Sequence, residues 1–203
     1  MAHMLWLLED IISWQMNTIL NIEKKSIISD AKAHCLEQGL EIILTYDVKD
    51  EVLELISKRS KEQPRLYFVS VEMLKSRLAN GCFFLKKGDE IVGHIFAHKH
   101  QVKDHSVFER SSLWVHNDYR NFNLGLLLMH LMTGLYEDDF LVSIAQTPKV
   151  HYYNELLGMK HVKLAEMSNV LVDELEKIGK LRDELNYKYY VNPYFESEIR
   201  ELK

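Results

Sequence analysis

The sequence predicts an α/β (α+β) fold in which short strands alternate with helices around one main hydrophobic core. Apolar residues recur at helical spacing through residues 4–38. From Glu41 onward, apolar runs of strand length alternate with helical stretches, and two of these runs flank the turn sequence Lys87-Gly88-Asp89-Glu90. A chain of 203 residues is long enough to bury a sizeable core in one domain with added segments.

The composition narrows the class of protein. Hydrophobic residues make up 47% of the chain and charged residues 27%, as in globular proteins. The formal net charge is −5 and no basic run is present, so we expect no nucleic-acid partner. Cys35 and Cys82 are too few for a disulfide framework, which favours a reduced, cytoplasmic setting. The apolar run Leu5–Leu8 has no basic leader and stops at Glu9-Asp10, which argues against a signal peptide or membrane span.

The first predicted element is a helix over residues 4–38, which Gly39 ends. Trp6 and Trp14 widen its apolar surface, so we expect it to pack on the domain or on the partner in a homodimer. A helix lying on a membrane surface is the alternative, which the acidic residues near its start disfavour.

The next elements follow from apolar periodicity, turn residues and a capping serine at Ser70. In order, they are a strand from Ile42 to Tyr46, a helix near Asp50 to Arg59, a helix from Ser70 to Asn80-Gly81, and strands Cys82–Lys86 and Ile91–Gln101. A polar connection, Val102 to Phe108, then leads to a strand that ends at Val115.

The second half continues the alternation of helices and strands. We expect a helix ending near Tyr136, a strand Phe140–Ala145, a helix Lys149–Leu157 closed by Gly158, and a strand Met159–Ala165. An apolar stripe from Val170 to Leu185 predicts a C-terminal helix. Tyr187 to Phe195 is rich in aromatic residues and is expected to cover the core or contact a second subunit, with the lining of a substrate pocket as the alternative.

The segment Leu113 to Met132 is the most informative part of the chain. An apolar strand enters a polar turn that contains Asn121, Asn123 and Gly125, and a long apolar helix follows. Such a junction points loop and first-turn N–H groups, together with the positive end of the helix dipole, at one place. The residues therefore indicate a site for a phosphate or pyrophosphate.

This segment resembles the acyl-CoA-binding loop of the GNAT N-acetyltransferase superfamily, whose pattern is Arg/Gln-x-x-Gly-x-Gly/Ala. Arg120 takes the first place and Gly125 the last, while Asn123 replaces the middle glycine and Asn121 stands where another glycine often occurs. Asparagine accepts the left-handed conformation more readily than most residues, which makes the replacement physically reasonable. The order of elements from about Glu41 to Ala165 also resembles the GNAT fold.

The resemblance implies a GNAT-like mixed, mostly antiparallel twisted sheet flanked by helices. It divides the chain into an N-terminal helical segment (4–38), an acyl-CoA-binding domain (39–166), and a C-terminal helical and aromatic extension packed on that domain (167–203). The strand before the loop is expected to separate from its neighbour and to bind the pantetheine arm through free backbone groups. The implied cofactor-binding residues are Trp114, Val115 and His116 at the arm, and Arg120, Asn121, Phe122, Asn123, Leu124, Gly125 and Leu126 at the pyrophosphate.

Two residues are candidates for proton transfer. Glu109 lies eleven positions before Arg120 and resembles the glutamate base of the histone-acetylating branch; strand alternation would place it on one face with Ser111, Leu113 and Val115. A solvated strand edge is the alternative interpretation of Glu109. Tyr153 is the candidate acid for the departing thiolate, although the family's Tyr-x-x-Leu-Gly-Phe pattern places Asn154 where the tyrosine belongs. Tyr152 is a less favoured donor, and packing in the core remains an alternative for Tyr153.

The histidines His94, His98 and His100 share strand parity. A His-x-His pair on a strand can bind a metal, but the neighbouring sequence offers no cysteine or clear carboxylate partner, so no metal is expected. His98 or His100 could instead be a base if it lies beside the thioester.

The leading hypothesis is an N-acyltransferase that moves an acetyl or other acyl group from acyl-CoA to a primary amine on a small molecule or protein. No nucleophile elbow or activated cysteine is evident, which favours direct transfer in a ternary complex. The alternatives are a non-catalytic acyl-CoA-binding or protein-interaction module on the same fold, and a different transfer such as O-acylation or use of a longer acyl group.

Overall fold

The computed structural model describes residues 2–62, 68–102, 104–177, 179–181, 183–184 and 186–193, with side chains described from Leu20 onward. The roles predicted for Trp6 and Trp14, and the end of the aromatic tail at residues 194–195, lie outside the described side chains. Among the described residues, no helix combines the length and apolar character that crossing a bilayer requires.

The described strands form one seven-stranded sheet of the mixed kind that the sequence predicts. They are β1 (Leu40–Thr45), β2 (Cys82–Lys87), β3 (Glu90–Val102), β4 (His105–Val115), β5 (Phe140–Ala145), β6 (Lys160–Val162) and β7 (Lys188–Val191). Their order across the sheet is β1-β2-β3-β4-β5-β7-β6. All neighbours are antiparallel except β4 and β5, which are parallel and are therefore joined by a helical crossover.

Six helices of the described chain flank this sheet: α1 (Ala2–Glu37), α2 (Asp50–Glu62), α3 (Val71–Leu78), α4 (Leu124–Leu135), α5 (Pro148–Leu156) and α6 (Asn169–Lys177). Two of them begin with a capping side chain, and the sequence predicted the one at Ser70. Ser70 Oγ accepts the Met73 N–H at the start of α3, and Thr147 caps α5 with Pro148 in its first turn. Gly158 follows α5 with a φ of +83°, a conformation that few residues other than glycine adopt.

The two faces of the sheet carry separate apolar clusters. One cluster packs α1, α4 and α5 against side chains of β2 and β3 such as Leu85 and Ile95. On the opposite face, α2 and α3 pack on Phe84 and Phe96, while α6 covers Val107 and Tyr189. Because both faces are covered, the middle strands are apolar on both sides, and polar residues within them are informative.

Strand β4 contains a β-bulge that changes which side chains share a face. The β3–β4 register shifts between His94 and Phe96, and Ser112 opposite this shift has a φ of +51°. Simple alternation predicted that Leu113 and Val115 would lie on the face of Glu109. That prediction was wrong: both approach Gly125 of α4, whereas Glu109 hydrogen-bonds to His100 on the other face. The extra residue of the bulge reverses the parity, and no residue in this segment signals it.

The parallel strands β4 and β5 pair only over Val107–Arg110 and Phe140–Ser143. Beyond Arg110, β4 continues to Val115 alongside β3, while the end of β5 pairs with β7. The sheet therefore opens between β4 and β5 on the side where both strands end, next to the start of α4.

Several predictions differ from the structure. The C-terminal helix predicted from Val170 to Leu185 ends at Lys177 as α6. The polar segment 102–108 is not a long connection, because β3 extends to Val102 and β4 begins at His105, so that the two strands form a long hairpin. The strand predicted over residues 159–165 is limited to β6, and a short 3-10 helix (Leu164–Glu166) follows it. The aromatic segment does not merely cover the core, since β7 inserts between β5 and β6 and buries Tyr189 and Tyr190.

Candidate active site

A cavity of about 740 Å³ occupies the opening between β4 and β5. It is large enough for a small-molecule or cofactor site. Residues from both strands line it, including Ser111, Leu113 and Ala145. One part of its wall comes from α4, α5 and the loop before α4, and another comes from α2, α3 and the segment after α6. The cavity therefore joins the two faces of the sheet.

The loop before α4 is compact and ends in a left-handed residue. Residues Asn117–Phe122 form a 3-10 helix, and Asn123 follows with φ 54° and ψ 22°. Asn123 thus has the conformation that the family's glycine would supply, whereas Asn121 lies inside the 3-10 helix and is not among the described residues with positive φ. Helix α4 starts at once, and its first N–H groups, at Leu124, Gly125 and Leu126, have no intrahelical acceptor because of their position.

Two basic side chains lie beside this helix start. Arg120 Nε donates to the carbonyl of Val115 at 2.9 Å, and Lys149 Nζ donates to the carbonyl of Arg120 at 3.1 Å. Both residues line the cavity. Together with the N-terminus of α4, they create a positively charged end of the cavity, which suits an anion. Lys149 was not among the site residues predicted from the sequence, because only folding brings α5 next to the loop.

The residues predicted to bind a cofactor fall into three groups. Trp114, Val115, Arg120 and Gly125 line the cavity. The side chains of Leu124 and Leu126 are buried in the core, so only their backbone groups are candidates for binding. Phe122 stacks on His34 of α1 at a centroid distance of 3.4 Å, which attaches the loop to the N-terminal helix. His116 accepts the N–H of Asp118 at 3.4 Å and stabilises the start of the turn.

Tyr153 lines the cavity, and its hydroxyl donates to Asn123 Oδ1 at 2.8 Å. Burial is the main cause that raises the pKa of Tyr153 to about 12, so its phenol is protonated at neutral pH. Asn154, which occupies the tyrosine position of the family pattern, is fully buried and accepts from Arg110 instead. The Tyr152 hydroxyl points elsewhere, toward Glu23 of α1 at 2.5 Å.

Glu109 lines the cavity from the opposite face and is held by two partners. Lys180 Nζ donates to Oε1 at 2.6 Å, and His100 Nε2 lies 2.9 Å from Oε2. Burial alone would raise the pKa of this carboxyl, but the Lys180 charge and the His100 hydrogen bond outweigh burial and hold it far below its ordinary value. Glu109 is therefore an ionised carboxylate inside the fold and not a solvated strand edge.

His94 and Trp114 form an aromatic wall of the cavity, with ring centroids 5.5 Å apart. The carbonyl of Ser112 lies 2.7 Å from His94 Nδ1, so this nitrogen carries the hydrogen and Nε2 offers a lone pair. His94 Nε2 is buried without a hydrogen-bond partner among the described residues. Burial lowers the pKa of His94 to about 4, which keeps the ring neutral. From the sequence, His94 stood out only because it shares strand parity with His98 and His100.

The cavity wall around Glu109 contains further residues that sequence reasoning missed. Arg77 of α3 is almost fully buried and donates to Ser112 Oγ at 2.7 Å. Lys180 and Tyr187 approach from the chain after α6. Their contribution agrees with the alternative that the C-terminal segment lines a substrate pocket. Neither His98 nor His100 is among the residues lining this cavity.

The sequence model of the Acetyltransferase (GNAT) family matches residues 46–159 of this chain. The comparison with curated proteins gives no match. Many solved structures share the fold. An acetyltransferase from Streptococcus agalactiae 2603 has a TM-score of 0.55 and 14% identity, covering 76% of this chain and 98% of its own.

Two further similar structures contain ligands. N-acetylglutamate synthase from Neisseria gonorrhoeae, complexed with coenzyme A and N-acetyl-glutamate, has a TM-score of 0.54 and 14% identity, covering 75% of this chain and 34% of that one. Arabidopsis thaliana Naa50 with the bisubstrate analogue CoA-Ac-MVNAL has a TM-score of 0.52 and 15% identity, covering 74% and 96%. At such low identity these likenesses concern the fold alone, while the family match spans more than half of the chain. This chain belongs to the GNAT acetyltransferase family.

Proposed function

We propose that this protein transfers an acetyl or other acyl group from acyl-CoA to a primary amine by direct transfer in a ternary complex. The observation that carries the proposal is the cavity through the open part of the sheet, which joins a positively charged end at α4 to a polar chamber at Glu109. A long cofactor with phosphates at one end and a thioester at the other matches this arrangement. The similar structures with coenzyme A or a CoA-based analogue support the choice of cofactor.

The phosphates would lie at the N-terminus of α4, where Arg120, Lys149 and the N–H groups of Leu124 to Leu126 are available. The pantetheine arm would then follow β4 between Leu113 and Val115, whose outer edge has no partner among the described strands beyond Arg110. An arm bound there would use the backbone as an added strand does. This route ends beside Ser111 and Glu109, where the amine would meet the thioester.

The reaction itself asks little of the protein. The amine nitrogen attacks the thioester carbonyl carbon, a C–N bond forms and the C–S bond breaks. The nitrogen loses one proton to water and the CoA sulfur gains one proton, so the net proton count does not change. Tyr153 is our candidate donor to the leaving sulfur, because its phenol lines the cavity and stays protonated at neutral pH. Holding both reactants in one cavity provides the rest of the rate acceleration through proximity.

We propose that Glu109 binds the acceptor amine through its negative charge and does not act as a strong base. A carboxylate paired with Lys180 and His100 has little affinity for a proton, but its negative charge attracts an ammonium group. The amine proton would then leave through water. The neutral His94, with its free lone pair at Nε2, is a second acceptor for an amine hydrogen.

The substitution Glu109→Gln distinguishes these roles. An electrostatic role predicts a higher KM for the amine with an unchanged shape of the pH–rate profile. A general base predicts a fall in kcat together with a shifted acidic limb of that profile. Because Gln is nearly isosteric, melting curves of both proteins check that the packing around residue 109 is retained.

A non-catalytic acyl-CoA-binding module is the second candidate, and the pairing of Glu109 favours it specifically. A base held by an ammonium group 2.6 Å away is poorly placed to accept a proton. Acetyl-CoA binding by calorimetry, combined with thiol release in the presence of a broad amine panel, separates the two functions. Amine-dependent thiol release supports the enzyme; binding without release supports the module; absence of binding contradicts both.

A further inference from the structure

A cluster of His98, His100 and Glu109 lies behind the cavity wall, on β3 and β4. His98 is the cross-strand partner of Glu109, and His100 is two residues further along the same face. One ligand atom from each residue lies within 4.8 Å of the others. His100 Nε2 is 2.9 Å from Glu109 Oε2, and His98 Nδ1 is 3.9 Å from the same oxygen. The carboxylate that the sequence around the His-x-His pair lacked is thus supplied by the neighbouring strand.

The ring nitrogen of His98 that faces this cluster is Nδ1. His98 Nδ1 is buried and makes no hydrogen bond with the described residues, although nearly all buried polar atoms in proteins are paired. A bound ion or an ordered water commonly satisfies such an atom. The His98 side chain is 19% exposed, so the cluster lies close to the protein surface.

The spacing of the three atoms suits a tetrahedral metal. Ligands about 2.0–2.1 Å from such an ion are ~3.3 Å from each other, and the distances of 2.9 and 3.9 Å lie on either side of that value. The two imidazole nitrogens lie within 4.8 Å of each other, so a side-chain rotation that brings them closer completes the tetrahedral arrangement. The ring of His100 would carry its hydrogen on Nδ1 in place of Nε2, which is the other neutral tautomer.

The surroundings of the cluster also agree with metal ligation. Lys180 holds Oε1 and leaves Oε2 for an ion, as outer partners of ligating carboxylates do. The same ammonium repels a cation, and we therefore expect micromolar binding, weaker than that of a structural zinc site.

We propose that His98, His100 and Glu109 form a binding site for a divalent transition metal, with Zn²⁺ as the best-matched ion. Two imidazoles and one carboxylate are ligands of catalytic-type zinc sites, which keep a fourth position open. This departs from the expectation of no metal that the sequence alone supports. The proposal does not depend on acyl transfer, but an ion on Oε2 would change the charge that Glu109 presents to the cavity.

Calorimetric titration of the chelator-treated full chain with Zn²⁺ tests the site, and Co²⁺ absorption reports its geometry. We expect one equivalent of Zn²⁺, bands of tetrahedral Co²⁺, and affinity at least tenfold weaker in each of His98→Ala, His100→Ala and Glu109→Gln. His161→Ala, on the exposed part of β6, is the matched control and should bind as the parent does.

Two results would overturn the proposal: no Zn²⁺ binding at high micromolar concentration, or binding that the three cluster substitutions leave unchanged. Melting temperatures measured with and without Zn²⁺ show whether each variant folds. Zn²⁺ should raise the melting temperature of the parent and leave that of folded His98→Ala protein unchanged. None of these measurements uses acetyl-CoA, so their failure is independent of failure of the proposed function.

Discussion

At the scale of single residues, the chemistry depends on buried polar side chains. Their protonation states are set by burial and by neighbouring groups. Tyr153 remains a phenol, His94 remains a neutral imidazole, and Glu109 remains a carboxylate over the whole physiological range. Each lines the same cavity, so the site presents a donor, a lone pair and a negative charge in fixed places. Fixed groups of this kind need no reorganisation when a substrate arrives.

Tyr153→Phe tests the donor role. We expect kcat for amine acetylation to fall about 10²-fold, the low end for a lost general acid, with a much smaller fall in the affinity for CoA from the lost hydrogen bond to Asn123. Tyr152→Phe is the control, because its hydroxyl faces Glu23 and not the cavity. Steady-state kinetics with both substrates varied measures the effect, and equal turnover in the two variants would exclude Tyr153 as the acid.

His94 predicts a pH dependence of stability. Its folded pKa of about 4 lies below the ordinary value of 6.5, so between these values the unfolded chain binds more protons. The contribution is complete above pH 6.5 and is lost as the pH falls toward 4, by on the order of 3 kcal/mol. Urea unfolding across this range should show a shallower pH slope for His94→Asn and an unchanged slope for the exposed His161→Asn. Equal slopes in all three proteins would contradict the prediction.

At the scale of elements, the junction of β4, the loop and α4 was largely predictable from sequence. Arg120, Asn123 and Gly125 indicated a loop that needs a left-handed residue before a helix, and Asn123 has that conformation. The same pattern wrongly gave Asn121 a glycine-like role, because a 3-10 helix was not expected there. The stacking of Phe122 on His34 could not be predicted from the sequence, since it joins residues far apart in the chain.

Substitutions at Asn123 test this junction. Glycine accepts a φ of 54° freely, whereas valine in that conformation is strained by about 1–2 kcal/mol. We expect Asn123→Gly to keep CoA affinity within a few-fold, and Asn123→Val to weaken it by at least about tenfold. Calorimetry with CoA measures both, and equal affinities for the two variants would show that the left-handed turn does not matter for binding.

The bulge in β4 and the insertion of β7 mark the limit of element-scale prediction. Ser112 has no feature that announces a positive φ, yet it reverses the faces of Leu113 and Val115. The strand β7 pairs with β5 and β6, although chain order alone would make it the last strand of the sheet. Register and strand order depend on contacts between distant segments, and one sequence read alone gives no direct signal of them.

At the scale of the whole molecule, the sheet opens between β4 and β5 and places a cavity between two differently charged regions. Arg120 and Lys149 are at one end, and Glu109 with Lys180 is at the other. The fold class and the loop could be predicted because their signals are local. The half of the cavity around Glu109 could not be predicted, because its wall comes from three parts of the chain: α3, β4 and the segment after α6.

The most direct test of acyl-CoA binding in this cavity is calorimetry of CoA with the parent protein and two double variants. We expect saturable binding by the parent and at least about tenfold weaker binding by Arg120→Ala/Lys149→Ala, since each charge-assisted phosphate contact contributes about 1.5–3 kcal/mol. Lys160→Ala/Lys163→Ala removes two exposed lysines at the edge strand β6 and directly after it, and should bind as the parent does. No binding by the parent, or equal weakening in both double variants, would contradict a CoA site at the opening between β4 and β5.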